Sequence, residues 1–191
     1  MQRIGLFGGS FDPVHLGHLL VAQAALEELQ LDCLFFLPAA QSPFKPAASP
    51  APAAARLRLL RLALAGQPRF ALDEQELQRG GVSYTIDTVR DYAQRFGSAQ
   101  LCYLIGADHV RLLPHWRESA ELARQLEFVI LPRPGELSVE LPAGIRGQVL
   151  SGFPLGVSSS QIRGRVRAGL PIGLLVPPAV AEAIANNRLY L

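Results

Sequence analysis

Asp32–Pro38 encloses the run Cys-Leu-Phe-Phe-Leu, and Leu101–Ile105 and Phe128–Leu131 are likewise unbroken apolar runs. A strand with one wet face alternates polar and apolar residues. One that is apolar throughout is buried on both faces, the condition of strands in a parallel sheet covered by helices. Arg3–Phe7 and Arg69–Leu72 read as further short strands. Between them lie stretches of helical period. Leu16–Gln30 carries apolar residues at 16, 19, 20, 26 and 29, and residues 53–65 are Ala/Leu/Arg-rich. A third segment places Ile86, Val89, Ala93 and Phe96 on one face behind Ser83 as N-cap. Trp116–Gln125 and Ser158–Arg167 read as later helices, and Pro177-Pro178 opens a last one running to about Asn186. Alternation of this kind predicts an α/β fold with a doubly wound, mostly parallel sheet and a small C-terminal helical part, in one domain over residues 1–191.

Two stretches read as loops. Residues 38–52 hold prolines at 38, 43, 46, 50 and 52, and are expected to form a surface loop that moves over a site. Residues 132–147 are the second.

Directly behind the first strand stands Gly-Leu-Phe-Gly-Gly-Ser-Phe-Asp-Pro-Val-His-Leu-Gly-His, residues 5–18. Gly8 and Gly9 let backbone approach a ligand, and His15 and His18 are three residues apart. With a helix start near Val14, both imidazoles share one face of its first turn. That is where N–H groups and the helix dipole attract anions, beyond the carboxyl end of a strand, so the arrangement suits a polyphosphate. It is neither a dinucleotide Gly-x-Gly-x-x-Gly fingerprint nor a Gly-Lys-Ser/Thr phosphate loop. The plainer alternative is a tight strand-to-helix turn with two solvated histidines.

A second signal is Val157-Ser-Ser-Ser-Gln-Ile-Arg163. Ser158 and Gln161 have capping-box spacing, so a helix starts there. Ser159 and Ser160 would offer hydroxyls and N–H groups to an anion, and Arg163 a bidentate fork. A capped helix with a solvated Arg is the other reading.

The bulk properties exclude several classes. Hydrophobic residues at 49% and charged residues at 18% leave no disordered signature. A net charge of +2 is too small for a nucleic-acid surface. No run of about 18 apolar residues predicts a membrane span, and the N-terminus does not fit a signal peptide. Cys33 and Cys102 lack metal-type spacing and are expected to stay reduced, in the cytoplasm. A homo-oligomer is left open.

Gly8, Gly9, Phe11, Asp12, Pro13, His15, Gly17 and His18 together resemble the signature of the Rossmann-like nucleotidylyltransferase superfamily, and Ser158–Arg163 resembles its second signature. The middle of the chain is similar to the bacterial nicotinate mononucleotide adenylyltransferases. This similarity rests on Ser83–Thr88, Leu104–Asp108, Leu113–Trp116, Leu131–Gly135 and the ending Leu175-Val176-Pro177 … Leu189-Tyr190. The resemblance implies adenylyl transfer from ATP to nicotinate mononucleotide, giving deamido-NAD and pyrophosphate. His15, His18, Lys45 and Arg163 would then stabilise transition-state charge. Phe7, Gly8, Gly9, Ser10, Phe11, Ser158, Ser159 and Ile162 would line the ATP site, with Gly106 and Asp108 at the nucleotide ribose. Tyr84, Thr85, Trp116 and Arg133 would take the pyridine mononucleotide, with Thr85 at the carboxylate and Trp116 stacked on the ring. Trp116 as a half-buried anchor, Tyr84 as a core aromatic and Asp108 as a helix N-cap remain open. Mg²⁺ is expected to travel with ATP, with no protein-only metal site.

One departure stands out. The family usually reads Pro-Pro-His-Lys/Arg where this chain has Ser42-Pro43-Phe44-Lys45, so an imidazole is replaced by a ring that donates no hydrogen bond. The rival readings are adenylyl transfer to nicotinamide mononucleotide, another family member such as a pantetheine-phosphate adenylyltransferase, a tRNA-synthetase-like fragment, and a nucleotide-sensing module without catalysis.

Overall fold

A computed structural model describes residues 1–44, 50–131, 140–153 and 155–191. Its strands are β1 (Arg3–Gly9), β2 (Cys33–Pro38), β3 (Phe70–Leu72), β4 (Gln100–Gly106), β5 (Leu126–Leu131) and β6 (Gly147–Val149). Its helices are α1 (Leu16–Glu28), α2 (Ala53–Leu64), α3 (Gln75–Arg79), α4 (Thr85–Arg95), α5 (Ala107–Val110), α6 (Ser119–Gln125), α7 (Ser159–Arg167) and α8 (Pro178–Asn186). The sheet runs β3-β2-β1-β4-β5-β6 with every pair parallel. The α/β expectation holds, and the strand order reverses between β1 and β4. In such a sheet ligands bind in the crevice at that reversal.

Alternate residues of each strand serve two separate cores. Phe7, Leu34, Phe36, Leu104 and Val129 pack with α1, α2, α7 and α8 on one face. Ile4, Leu6, Tyr103, Ile105, Phe128 and Ile130 pack with α4, α5 and α6 on the other. This two-sided burial is why the strands read as unbroken apolar runs.

Several local expectations need correcting. Helix α1 begins at Leu16, not near Val14, so His15 is its N-cap and only His18 lies inside the first turn. Its buried face is Gly17, Ala22, Ala24, Ala25 and Leu26, with Leu16, Leu19 and Leu20 only half-buried. Small side chains let this helix lie close to the sheet. Ser83 does not cap α4: its N-cap is Tyr84 and the Ser83 hydroxyl instead accepts the Ala40 N–H at 3.0 Å. The buried fourth member of the α4 face is Tyr92, and Ala93 is exposed. Trp116 precedes α6, following a 3₁₀ turn at Leu113–His115 that contains Pro114. Pro38 ends β2, paired with Gly9, as the strand reading Asp32–Pro38 has it, so the loop begins one residue later than 38. The second expected loop ends inside β6, an edge strand short enough to escape a pattern search. Residues 132–139 lie outside the described residues.

Candidate active site

Backbone and side chains converge at the carboxyl ends of β1 and β4. A Cβ on Gly8 would collide with the Tyr103 hydroxyl from the neighbouring strand, and one on Gly9 would stand 3.1 Å from the Phe11 ring. These two positions therefore carry glycine for space as well as for ligand approach. Phe11 holds φ +46°, in the left-handed region that ordinarily disfavours a side chain. Its ring is sealed against Phe7, Phe36 and His18, with centroids 5.0–5.5 Å apart. Phe7 and Phe11 are thus core rings, and any nucleotide contact they make is through main chain.

The two histidines form a reciprocal cap. The His15 N–H donates to His18 Nδ1 at 3.2 Å and the His18 N–H to His15 Nδ1 at 3.4 Å. Their rings stack with centroids 3.7 Å apart. Because each Nδ1 accepts a backbone N–H, each neutral ring carries its proton on Nε2 and presents that N–H as a donor. Burial pushes His15 down to about 4. It also pushes His18 well below the usual imidazole range, with the His15 charge adding to the effect. The pair is therefore neutral near pH 7, a donor pair and not a pair of cations.

This depression ties stability to pH. The folded chain binds fewer protons than the unfolded one between pH 6.5 and about 4, so stability is full above 6.5 and falls as pH drops through that window. For His15 the loss amounts to roughly 3 kcal/mol at the acid end. Proton NMR of the imidazole is expected to show His15 titrating with a midpoint near pH 4; a midpoint near 6.5 contradicts the burial account.

Helix α7 meets this turn from the far end of the chain. Ser158 and Gln161 form the expected capping box. The Ser159 hydroxyl donates to the Pro13 carbonyl at 2.9 Å, and Arg163 Nη1 donates to the Asp12 carbonyl at 2.6 Å. The Ser159 hydroxyl proton is thus used to fix the β1–α1 loop, and its helix-start N–H is the group it still offers. The Ser160 hydroxyl accepts from Arg163 Nη2 at 3.2 Å. Two of the five guanidinium donors are thus used for positioning, and the rest of the fork is left for an anion. The Ile162 side chain is fully buried and packs in the core. These bonds bring the start of α7 against the β1–α1 turn, so the two sequence signals meet in one place.

A second region lies across β1, on the α4 side of the sheet. Pro43, Phe44, Tyr84, Thr85, His115, Trp116, Arg117 and Leu122 line a small, open, largely aromatic pocket. Trp116 is half-buried, and its Nε1 is a buried donor without a hydrogen-bond partner among the described residues. Phe44 tilts over it with ring centroids 5.5 Å apart, so the residue replacing the family's imidazole belongs to an aromatic wall. The Thr85 hydroxyl donates to Tyr103 Oη at 3.4 Å. Gly106 ends β4, and the exposed Asp108 folds its carboxylate back over that glycine. Gly106, not Asp108, is the N-cap residue of α5. Lys45 and Arg133 lie outside the described residues.

Four contributors were given no site role from sequence. Arg56 on α2 is 2% exposed. It donates to the carbonyls of Ser10, Ala39 and Ala51, pinning the loops behind β1 and β2 together. Tyr190 reaches back to donate to Asp12 Oδ1 at 2.8 Å. Asp12 also accepts the Ala51 N–H, and its Oδ2 stands 3.7 Å from Arg163. Near its described ends, therefore, the proline-rich loop is tied down: Ala39 N–H to the Gly9 carbonyl, Gln41 bridged to Val82, and Ala51 to Asp12. Tyr103 and Arg117 are the other two.

Residues 6–165 match the cytidylyltransferase-like family. The chain belongs to that family. A relative from Synechococcus sp. (strain JA-3-3Ab), named as a probable nicotinate-nucleotide adenylyltransferase, is 41% identical over 197 residues, covering 100% of this chain and 95% of its own. One of the same name from Bordetella petrii is 41% identical over 198 residues and covers 100% of both. Among solved structures, Plasmodium falciparum nicotinic acid mononucleotide adenylyltransferase complexed with NaAD superposes with a TM-score of 0.81 at 16% identity, over 100% of this chain and 98% of that one. At that identity the likeness speaks for the fold.

Proposed function

We propose that this chain transfers the adenylyl group of ATP to nicotinate mononucleotide, giving deamido-NAD and pyrophosphate. The observation that carries the reading is full-length relatedness, at about 40% identity, to proteins named for that activity. The site supports it with a polyphosphate-sized set of donors on one side of β1 and an aromatic pocket on the other. We take residues 1–191 as one unit of this activity. Cys33 and Cys102 are unpaired, which suits a cytoplasmic setting.

The chemistry asks for placement more than for covalent help. A 5′-phosphate oxygen of the mononucleotide attacks the α-phosphorus of ATP, the new P–O bond forms in line, and the bond to pyrophosphate breaks. That phosphate is already ionised at neutral pH, so no protein base is required. The Nε2–H groups of His15 and His18, the free part of the Arg163 fork, and Lys45 hold the phosphate oxygens as charge moves to the leaving group. Main-chain N–H groups around Gly9 and Ser10 and at the starts of α1 and α7 add fixed dipoles. Asp108 beside Gly106 suits a pair of ribose hydroxyls, and Trp116 offers a face to the pyridine ring. Mg²⁺ enters as MgATP. Among the described residues no cluster of three or more His, Cys, Asp or Glu could hold a metal ion alone.

The test is pyrophosphate release from ATP with nicotinate and nicotinamide mononucleotides side by side. The expected result is rapid release with the nicotinate compound. Faster turnover with nicotinamide would overturn the substrate assignment, and no release with either would overturn the reaction.

A further inference from the structure

The aromatic pocket contains one cation whose position the adenylyl-transfer chemistry does not use. Arg117 follows Trp116 and lines the same cavity as Thr85 and Tyr84. Its guanidinium carbon stands 4.8 Å over the centre of the Tyr84 ring, a cation–π placement that holds the fork at the pocket wall. Its acidic neighbours are close but do not consume it. Asp87 Oδ2 lies 3.7 Å from Nη1 and Glu118 Oε1 lies 3.8 Å from Nε, both beyond hydrogen-bond length. Glu118 is also engaged by Arg90. A half-exposed guanidinium, oriented by a ring and loosely flanked by carboxylates, keeps donors in the fork geometry that a planar carboxylate matches.

We propose that the Arg117 guanidinium pairs with the ring carboxylate of the acceptor mononucleotide and so selects nicotinate over nicotinamide. The inference rests on the reading of this pocket as the pyridine site. Nicotinate and nicotinamide have nearly the same shape, so an aromatic slot alone distinguishes them poorly. A carboxylate accepts two parallel N–H bonds from Arg117 and gains a charge interaction in a partly desolvated cavity. An amide offers one acceptor and turns its NH₂ donors towards a group that has only donors. At Arg117, discrimination comes from attraction of one substrate and frustration of the other. Thr85, at the start of α4 on the same cavity, adds main-chain N–H groups that favour a negative group in the same place.

The experiment compares wild type with Arg117→Gln and Arg117→Lys. It reads the ratio of kcat/KM for nicotinate mononucleotide to that for nicotinamide mononucleotide, so that a changed folded fraction cancels. Trp116 is the only tryptophan, so quenching of its fluorescence gives the two dissociation constants on the same samples without turnover. We expect Arg117→Gln to lower both ratios at least tenfold and Arg117→Lys to keep part of the preference. A strong wild-type preference that survives unchanged in Arg117→Gln overturns the role of Arg117 and leaves the reaction standing. A wild-type ratio near one overturns both this inference and the choice of nicotinate.

Discussion

His18→Ala is expected to lower kcat by roughly 10²–10³-fold, the loss that follows removal of one preorganised donor to a developing anion. The effect is on turnover because His18 is already neutral and already aimed. Its Nδ1 is occupied by the His15 N–H and its ring is wedged beside Phe7 and Phe11. Nothing has to reorganise when phosphate charge builds. The cap it shares with His15 also goes, at a cost of about 1 kcal/mol, which a folded domain tolerates. Circular dichroism should therefore show a native variant while steady-state assays show the loss. Near-normal turnover in a folded variant would remove His18 from the phosphate site.

The largest effect on stability is expected from Arg56→Met. The guanidinium is buried and satisfies three carbonyls, those of Ser10, Ala39 and Ala51. Methionine fills much of the space but leaves these oxygens without donors and deprives Asp12 of a nearby positive charge. Losing one member of a buried charged network costs about 3–5 kcal/mol, or a fall in Tm of roughly 10 °C for a chain of this size. Thermal and denaturant unfolding both measure it. A Tm within about 2 °C of wild type would mean that the loops behind β1 and β2 hold without Arg56.

These two residues also show what a sequence can reveal and where it stops. His18 was legible because its chemistry sits in a short local pattern: a strand, two glycines, and two imidazoles at helix spacing. The buried strands were legible for a similar reason, since two-sided burial leaves no polar residue in β2 or in the Phe128–Leu131 stretch of β5. Arg56 was not. It is one of three arginines in α2, beside Arg58 and Arg61, and only the packing of that helix decides which one turns inward. Tyr190 meets Asp12 across 178 residues of sequence, a distance no local pattern spans. Ser83 has the look of a helix cap, yet a strand-end loop offered its hydroxyl the Ala40 N–H, and tertiary contact outweighed local propensity. Phe44 read as a lost phosphate contact. In place it is part of an aromatic wall against Trp116 and, with a centroid distance of 5.2 Å, His109.

The central claim is that the donors around His15 and His18 hold ATP while a pyridine mononucleotide attacks its α-phosphate. The most direct measurement follows label from the α-phosphate of ATP during the two-mononucleotide comparison. The account predicts that the label appears in a dinucleotide made with nicotinate mononucleotide, with one unlabelled pyrophosphate released per dinucleotide. Label that stays with AMP or ATP in the presence of that acceptor would contradict it.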